Sequence, residues 1–330
     1  MYDAASETLG LVGDIGGTNA RFALTPIGGD RARLISPASL PCRDYPTVEA
    51  ALAAYFKMAN VARWPSEAAI AVAGPVTNGA ITFTNMGWSF SESGLSGEGR
   101  FGRAVLMNDY AAQAMALPDL GAADFETIGP DVAGDAAATL AVMGPGTGFG
   151  VSALVREHGR EAILSGEGGH VAFAPADAEE MEVFKIMSAR FGRISVERVL
   201  SGPGLLNLHH ALCTLHGDKD PCTAPDQVTT AATAGDPVAV QTLRIFCGLL
   251  GTVAGDFALS YGARGGVFIT GGIAPNIMEI LRKSAFRERF EAKGRFESYN
   301  RAIPTRVVVH PYTALLGAAK ALKRPEVHTS

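Results

Sequence analysis

Apolar and polar positions along this chain change period many times. From Leu11 to Leu24 they alternate with the two-residue rhythm of a strand, and the rhythm returns from Arg33 to Leu40. Between Asp44 and Asn60 the period lengthens: Val48, Leu52, Tyr55 and Phe56 share one helical face, with Thr47 placed as its N-cap. Ala68 to Val76 is a continuous apolar run closed by Gly-Pro, the pattern of a buried strand. A further strand and loop follow in ITFTNMGWSF. RAVLMND (Arg103 to Asp109) then predicts a strand that breaks into the helix YAAQAMAL.

The second half repeats this alternation of types. LAVMGPGTGFGVSALV (Leu140 to Val155) reads as strand, turn and strand, and SGEGGHVAFAP (Ser165 to Pro175) as a glycine-rich loop before the helix AEEMEVFKIMSARFG. SVERVLSGPGLLNLHHALCTLHG predicts a helix interrupted at Gly202-Pro203-Gly204. The stretch between Arg244 and Arg264 is long enough to cross a bilayer, but Asp256 and its glycines predict a helix buried between layers. GGVFITGGIAP predicts a strand ending in a glycine turn, RVVVH another strand, and TALLGAAKALK a last helix. Mixed strands and helices with one hairpin unit duplicated predict two α/β lobes facing a cleft. The expected division is residues 1–118 with 311–330 in a small lobe and 119–310 in a large one.

Composition narrows the class. At 330 residues the chain is long enough for two domains, and 47% hydrophobic with 18% charged residues is the profile of a compact α/β enzyme. The net charge is −5 with no basic run, which argues against nucleic acid as a partner. The cysteines Cys42, Cys213, Cys222 and Cys247 lack CxxC spacing, so a reduced, cytoplasmic chain is expected. His209, His210, Cys213, His216 and Cys222 lie close in sequence but read as helix core and surface rather than a zinc site. Asp3 and Glu7 precede any apolar run, which is unlike a signal peptide, and no membrane partner is expected.

The most informative chemistry sits in two matched turns. VGDIGGTNARFAL places Asp14 before Gly16-Gly17-Thr18, and the second hairpin places Gly146-Thr147-Gly148 at the same point. Glycine lets neighbouring backbone N–H groups converge on an anion, and a threonine hydroxyl adds a donor. A fold that builds such a hairpin twice can clamp one polyphosphate between the copies, and Asp14 suits a metal ion. Each turn alone is also an ordinary hairpin signal. GxxxxGK[ST] is absent, and the glycines join strand to strand, unlike a dinucleotide-binding fingerprint.

Taken together, VGDIGGTNARFAL, FTNMGWSF, LMNDYAA, GPGTGFGV, SGEGGHVAFAP, SVERVLSGPGLLNL, GGVFITGGIAP and KGRFESY resemble the bacterial glucokinase family. They occur in the family's order from Leu11 to about Lys323. GEGGH and ERVLSGPG are the more specific segments. The resemblance implies two ribonuclease-H-like, or actin-like ATPase, lobes with mixed sheets flanked by helices and the active site in the interlobe cleft. It also implies ATP-dependent phosphorylation of glucose at O6, a cytoplasmic enzyme and a homodimer. The cysteine cluster CxCGxxGCxE of zinc-containing relatives is missing, so no zinc is expected. Another hexose as substrate, or a sugar-sensing regulator that has lost catalysis, are the alternatives.

The resemblance also implies roles. Asp109 becomes the general base for the sugar hydroxyl, with Asn108 beside it on the sugar, although Asn-Asp before YAAQAMAL also suits a helix N-cap. Glu167, His170 and Glu197 become sugar ligands, and Asn85 a weaker one. Gly16, Gly17 and Thr18, with Gly146, Thr147 and Gly148, would grip the phosphates from two sides, Gly13, Asp14 and Ile15 belong to the same cofactor-binding segment, and Gly271 and Gly272 line the adenosine pocket. Asp14 would hold Mg²⁺ through water, since Mg²⁺ keeps several waters and takes few carboxylates.

Overall fold

The computed structural model describes residues 8–28, 32–83, 86–97, 99–219 and 221–323. The chain forms two compact units, one of Met1–Ala122, Ala162–Ser165 and His310–Ser330, the other of Ala123–Glu161 and Gly166–Val309.

The first unit is built on strands β1 (Leu9–Ile15), β2 (Asn19–Pro26), β3 (Ile35–Pro41), β4 (Glu67–Val72) and β7 (Arg103–Asn108), in the order β3-β2-β1-β4-β7. A small hairpin, β5 (Ala80–Thr82) with β6 (Ser89–Ser91), stands apart from that sheet. β1 to β3 form an antiparallel meander, and β4 and β7 run parallel to β1 beyond it. The long alternation from Leu11 to Leu24 is thus two strands. Ala68 to Val72 are all buried, as their continuous apolar run requires of a central strand.

Helix α1 (Val48–Met58) buries Val48, Ala51, Leu52, Tyr55 and Phe56, and Thr47 caps it by accepting Ala50 N–H at 3.2 Å. That face closes over Phe22 and Leu11, while Phe56, Trp64 and Phe101 stack edge to face. Each such side chain contributes about 1.5–3 kcal/mol on burial. After the single turn α2 (Glu92–Leu95), helix α3 (Asp109–Ala116) follows β7 directly. The last helix, Thr313–Lys323, crosses α3 so closely that a Cβ on Gly317 would stand 1.7 Å from Ala112 O. This contact sets the position of α3, and with it the Asn108-Asp109 step.

The six-stranded sheet, most of whose strands belong to the second unit, repeats the strand order. β9 (Leu140–Pro145), β10 (Phe149–Glu157) and β11 (Arg160–Gly166) precede β12 (Gly266–Ile269) and β13 (Thr305–Val308), ordered β11-β10-β9-β12-β13. β8 (Phe125–Thr127) adds an antiparallel edge on β13. Its helices are α4 (Ala178–Phe191), α5 (Val196–Val199), α6 (Gly202–His216), α7 (Pro225–Thr233) and α8 (Pro237–Tyr261), then the short α9 (Ile273–Asn276), α10 (Met278–Lys283), α11 (Phe286–Glu291) and α12 (Glu297–Arg301).

Among the described residues α8 is the helix long and apolar enough to cross a membrane, and 72% of its most apolar stretch is buried within the protein, the pattern of a core helix. Asp256 lies on its exposed side, 2.7 Å from Lys293 Nζ. The buried Glu180 at the start of α4 pairs with Arg289 of α11 at 2.8 Å, and Arg289 also donates to Thr252 of α8.

One expectation changes here. The interruption lies at Leu200-Ser201, and Gly202-Pro203-Gly204 is the first turn of α6. Ser201 caps that turn by accepting Gly204 N–H at 2.9 Å, and proline fits a first turn because its missing N–H would lack a helical partner there. His209, read as core, is buried with Nδ1 3.1 Å from Thr242 Oγ1 and Nε2 3.7 Å from Cys213 Sγ.

Candidate active site

In the first unit, β1 and β2 meet in register, with Asp14 opposite Arg21 and Ile15 opposite Ala20. Gly16 N–H donates to Asn19 O at 3.0 Å and closes the turn, while Cys42 N–H donates to Thr18 O at 2.8 Å and anchors it. Gly17 and Thr18 are exposed, and a Cβ on Gly17 would meet nothing within 4 Å, so the tip has room for a ligand. Gly13 and Ile15 are placed differently. A Cβ on Gly13 would press on Ile70 at 3.1 Å, and the Ile15 side chain is fully buried, which makes both of them packing positions.

Asp14 is mostly buried and its Oδ2 pairs with Arg21 Nη1 at 3.0 Å. Burial pushes its carboxyl above the ordinary range, against the pull of the Arg21 guanidinium. Cross-strand pairing follows from the hairpin register, so Arg21 was legible as the residue facing Asp14 across a four-residue turn. Among the described residues no three His, Cys, Asp or Glu side chains cluster to hold a metal by themselves. One half-neutralised carboxylate beside an open glycine turn fits a Mg²⁺ ion that arrives bound to phosphates and water.

Asn108 and Asp109 stand where β7 becomes α3. Asn108 is the N-cap, its Oδ1 accepting Tyr110 N–H at 2.9 Å and Ala111 N–H at 3.2 Å. Among the described residues its Nδ2 donates to Gly74 O, at 3.5 Å, and an amide NH₂ with two donors keeps capacity to donate to a ligand. The partly exposed Asp109 opens the helix, and its Oδ1 accepts Tyr110 N–H at 2.9 Å. The N-cap reading holds for Asn108, and Asp109 presents a carboxylate at a helix N-terminus, where negative charge is welcome. Asn85 lies outside the described residues.

In the second unit, β9 and β10 form the matching hairpin, with Phe149 opposite Pro145. Gly146 N–H donates to Gly148 O at 2.8 Å, Thr147 is exposed, and a Cβ on Gly146 would meet nothing within 4 Å. A third glycine turn packs onto this one, backbone against backbone. A Cβ on Gly144 would stand 2.0 Å from Thr270 O, and one on Gly271 2.3 Å from Pro145 O. Gly271 also has φ 85°, in the left-handed region open to glycine, while Gly272 faces open space.

The GEGGH loop makes a 3-10 turn at Gly168–His170. Gly168 and Gly169 are buried, the latter so close that a Cβ would lie 2.2 Å from Phe149 O, while Glu167 and His170 are exposed. Arg193 donates to His170 O at 2.7 Å. Glu197 lies in the first turn of α5, and its Oε2 accepts Phe149 N–H at 3.0 Å. The second unit thus brings together the 146–148 turn, the 167–170 loop, Glu197 and Gly271. The turn's contacts to Glu197 and Thr270 join residues far apart in sequence, and no local signal marks them.

The comparisons with known proteins agree with one another. The sequence model of the glucokinase family matches residues 11–325. A glucokinase of Caulobacter vibrioides is 50% identical over 319 residues, covering 96% of each chain. The crystal structure of glucokinase from an Antarctic psychrotroph superposes with a TM-score of 0.86 at 37% identity, covering 96% of this chain and 99% of that one. A ROK family glucokinase from Streptomyces griseus, in complex with glucose and AMPPNP, shares the fold at a TM-score of 0.60 and 21% identity, with 94% and 98% covered. Two units of one strand order, each with an open glycine hairpin, and half-identity over nearly the whole length lead to one conclusion: the chain belongs to the glucokinase family.

Proposed function

We propose that this chain transfers the γ-phosphoryl group of ATP to O6 of D-glucose, with Asp109 as general base. The observation that carries the reading is the placing of Asp109 at the β7–α3 step, in a chain half identical to a glucokinase over 96% of its length. AMPPNP and glucose bound to the Streptomyces griseus relative support the same pair of substrates.

Asp109 accepts the proton of the O6 hydroxyl as O6 attacks the γ-phosphorus. The bond to the β–γ bridging oxygen breaks, giving glucose 6-phosphate and ADP. A positioned base supplies about 10²–10⁴ in rate. Asn108 Nδ2 donates to a sugar hydroxyl while Oδ1 stays on the helix N–H groups. The exposed Glu167 and His170, with Glu197, bind the remaining hydroxyls. A carboxylate accepts and an imidazole does either, which suits a ring of neighbouring hydroxyls.

The turns Gly16–Gly17–Thr18 and Gly146–Thr147–Gly148 donate to phosphate oxygens, and Gly271-Gly272 borders the adenosine. Gly13 and Ile15 serve this reading by packing β1. Asp14 would hold Mg²⁺ with Arg21 fixing the carboxylate, and the ion would neutralise charge on the transferring group. The family likeness also supports a homodimer acting in the cytoplasm, which light scattering and cell fractionation test.

The experiment is coupled detection of ADP from Mg-ATP with glucose, fructose, mannose, N-acetylglucosamine and no sugar. Strong turnover confined to glucose is the expected result. Equal turnover on another hexose overturns the substrate assignment. Glucose binding without ADP formation overturns the catalytic one.

A further inference from the structure

Glu197 is assigned above to the sugar, but one of its carboxylate oxygens is committed elsewhere. Oε2 accepts Phe149 N–H at 3.0 Å and is also the nearest atom, at 2.5 Å, to where a Cβ on Gly148 would stand. The carboxylate therefore lies directly against the backbone of the second glycine turn. The same segment holds that turn at a second point, because Gly202 N–H donates to Gly146 O at 2.8 Å.

The segment is itself tightly held. Ser201 Oγ donates to Glu197 O at 2.8 Å, and a Cβ on Gly204 would stand 3.0 Å from that oxygen. On its other side, Val196 N–H donates to Val171 O at 3.0 Å, Phe173 N–H to Ile194 O at 3.2 Å, and Ala172 bridges to Ser195. Residues 194–202 thus run between the loop that carries Glu167 and His170 and the turn at Gly146–Gly148, bonded to both.

A backbone N–H held by a carboxylate is a charge-assisted hydrogen bond, short and strongly directional. Here it fixes the plane of the peptide that ends the turn. Gly146 N–H goes to Gly148 O and Phe149 N–H to Glu197. The N–H groups of Thr147 and Gly148 are then the turn's donors with no acceptor among the described residues.

We propose that Glu197 is a positioning residue for the nucleotide as well as a sugar ligand. Through Oε2 it sets the orientation of the Thr147 and Gly148 amides, and through Oε1 it meets the sugar, so that occupancy of one site is felt at the other. This rests on the glucokinase reading above. Linkage makes the effect reciprocal: whatever glucose does to nucleotide affinity through this contact, nucleotide does to glucose affinity.

The test is calorimetry on the full chain, titrating AMPPNP without sugar and with saturating glucose, and glucose without nucleotide. Without sugar, Glu197→Ala is expected to weaken AMPPNP about five- to tenfold, the worth of one net hydrogen bond. Glu197→Gln keeps an oxygen for Phe149 N–H and is expected to stay within about twofold of wild type. Any tightening of AMPPNP by glucose in the wild type disappears in Glu197→Ala.

Gly148→Ala approaches from the turn, its methyl displacing the carboxylate, and is expected to weaken glucose alone about threefold or more. Unchanged sugar-free AMPPNP affinity in Glu197→Ala with weakened glucose binding makes Glu197 a sugar ligand only and overturns the proposal. So does an unchanged glucose affinity in Gly148→Ala, which decides alone if Glu197→Ala fails to fold. A wild-type chain with no glucose-dependent ADP formation instead removes the functional reading itself, a separate outcome.

Discussion

The two glycine hairpins share a strand order and an open tip, yet they are held in opposite ways. The first is secured locally: Asp14 faces Arg21 across its own strands, and Cys42 N–H ties down Thr18 from the end of the adjoining β3. Among the described residues, the second has no ion pair of its own beside the turn. It is braced by Glu197 and Gly202 and by the backbone of Thr270 and Gly271, which reach it from distant parts of the sequence. The same turn can therefore be stiffened by an ion pair within its own hairpin or by a carboxylate and close backbone packing from distant segments. The first solution leaves an Arg21-paired carboxylate beside the tip, where the proposed Mg²⁺ would bind. The second engages its carboxylate, Glu197, on Phe149 N–H and leaves the Thr147 and Gly148 N–H groups for the proposed phosphates.

The largest difference between the units is chemical, since the proposed base lies in the first alone. Asp109→Asn is expected to lower kcat about a thousandfold while glucose still binds. Turnover within tenfold of wild type would remove the base from this unit. Packing comes next. Gly144→Ala must push a methyl into Thr270 O and is expected to destabilise by about 3 kcal/mol or more in urea unfolding. Gly17→Ala, with open space at its Cβ, is expected to stay within about 0.5 kcal/mol. Equal losses in the two would end the contrast between local and tertiary bracing.

Capping sharpens the comparison at smaller scale. Thr47 makes one exposed cap bond, whereas buried Ser201 both accepts from Gly204 N–H and donates to Glu197 O. Ser201→Ala is expected to cost about 2 kcal/mol and Thr47→Ala about 1 kcal/mol, read as shifts in urea midpoint. The smallest effect is electrostatic. Partial burial would raise the Glu179 carboxyl, but hydrogen bonds from Arg244 and Gln241 outweigh it and hold the group below its ordinary 4.5. A lowered carboxyl stabilises the fold fully above that value and loses the contribution as pH falls through the folded-state pKa. Glu179→Gln is therefore expected to lose about 0.5 kcal/mol at pH 7, discounted for solvent exposure, with the difference from wild type vanishing in acid. A difference that persists unchanged once the carboxyl is protonated would assign the loss to packing.

Much of this molecule is written in short-range pattern. Thr47 and the face Val48, Leu52, Tyr55 and Phe56 specify α1, and the step from Met107 to Tyr110 specifies a strand passing into a helix. These signals are legible because helix and strand periods, caps and turns are settled within a few residues. The family, too, was legible from motifs, and with it the candidate site. Gly202-Pro203-Gly204 misled because glycine and proline resemble a break, although proline also suits a first helical turn once Ser201 supplies the cap.

By itself, then, the sequence determined the elements, the duplicated hairpin, the family and the side chains available for chemistry. Only the tertiary structure decided which glycines serve packing and which leave space for a ligand: Gly13, Gly144 and Gly271 lie against neighbouring atoms, while Gly17 and Gly146 face open room. It also decided that the Glu197 carboxylate meets Phe149 N–H, 48 residues away. The reason is physical. A glycine looks the same in any local pattern, and its role depends on what the folded chain brings within about 4 Å of it, where packing forces act.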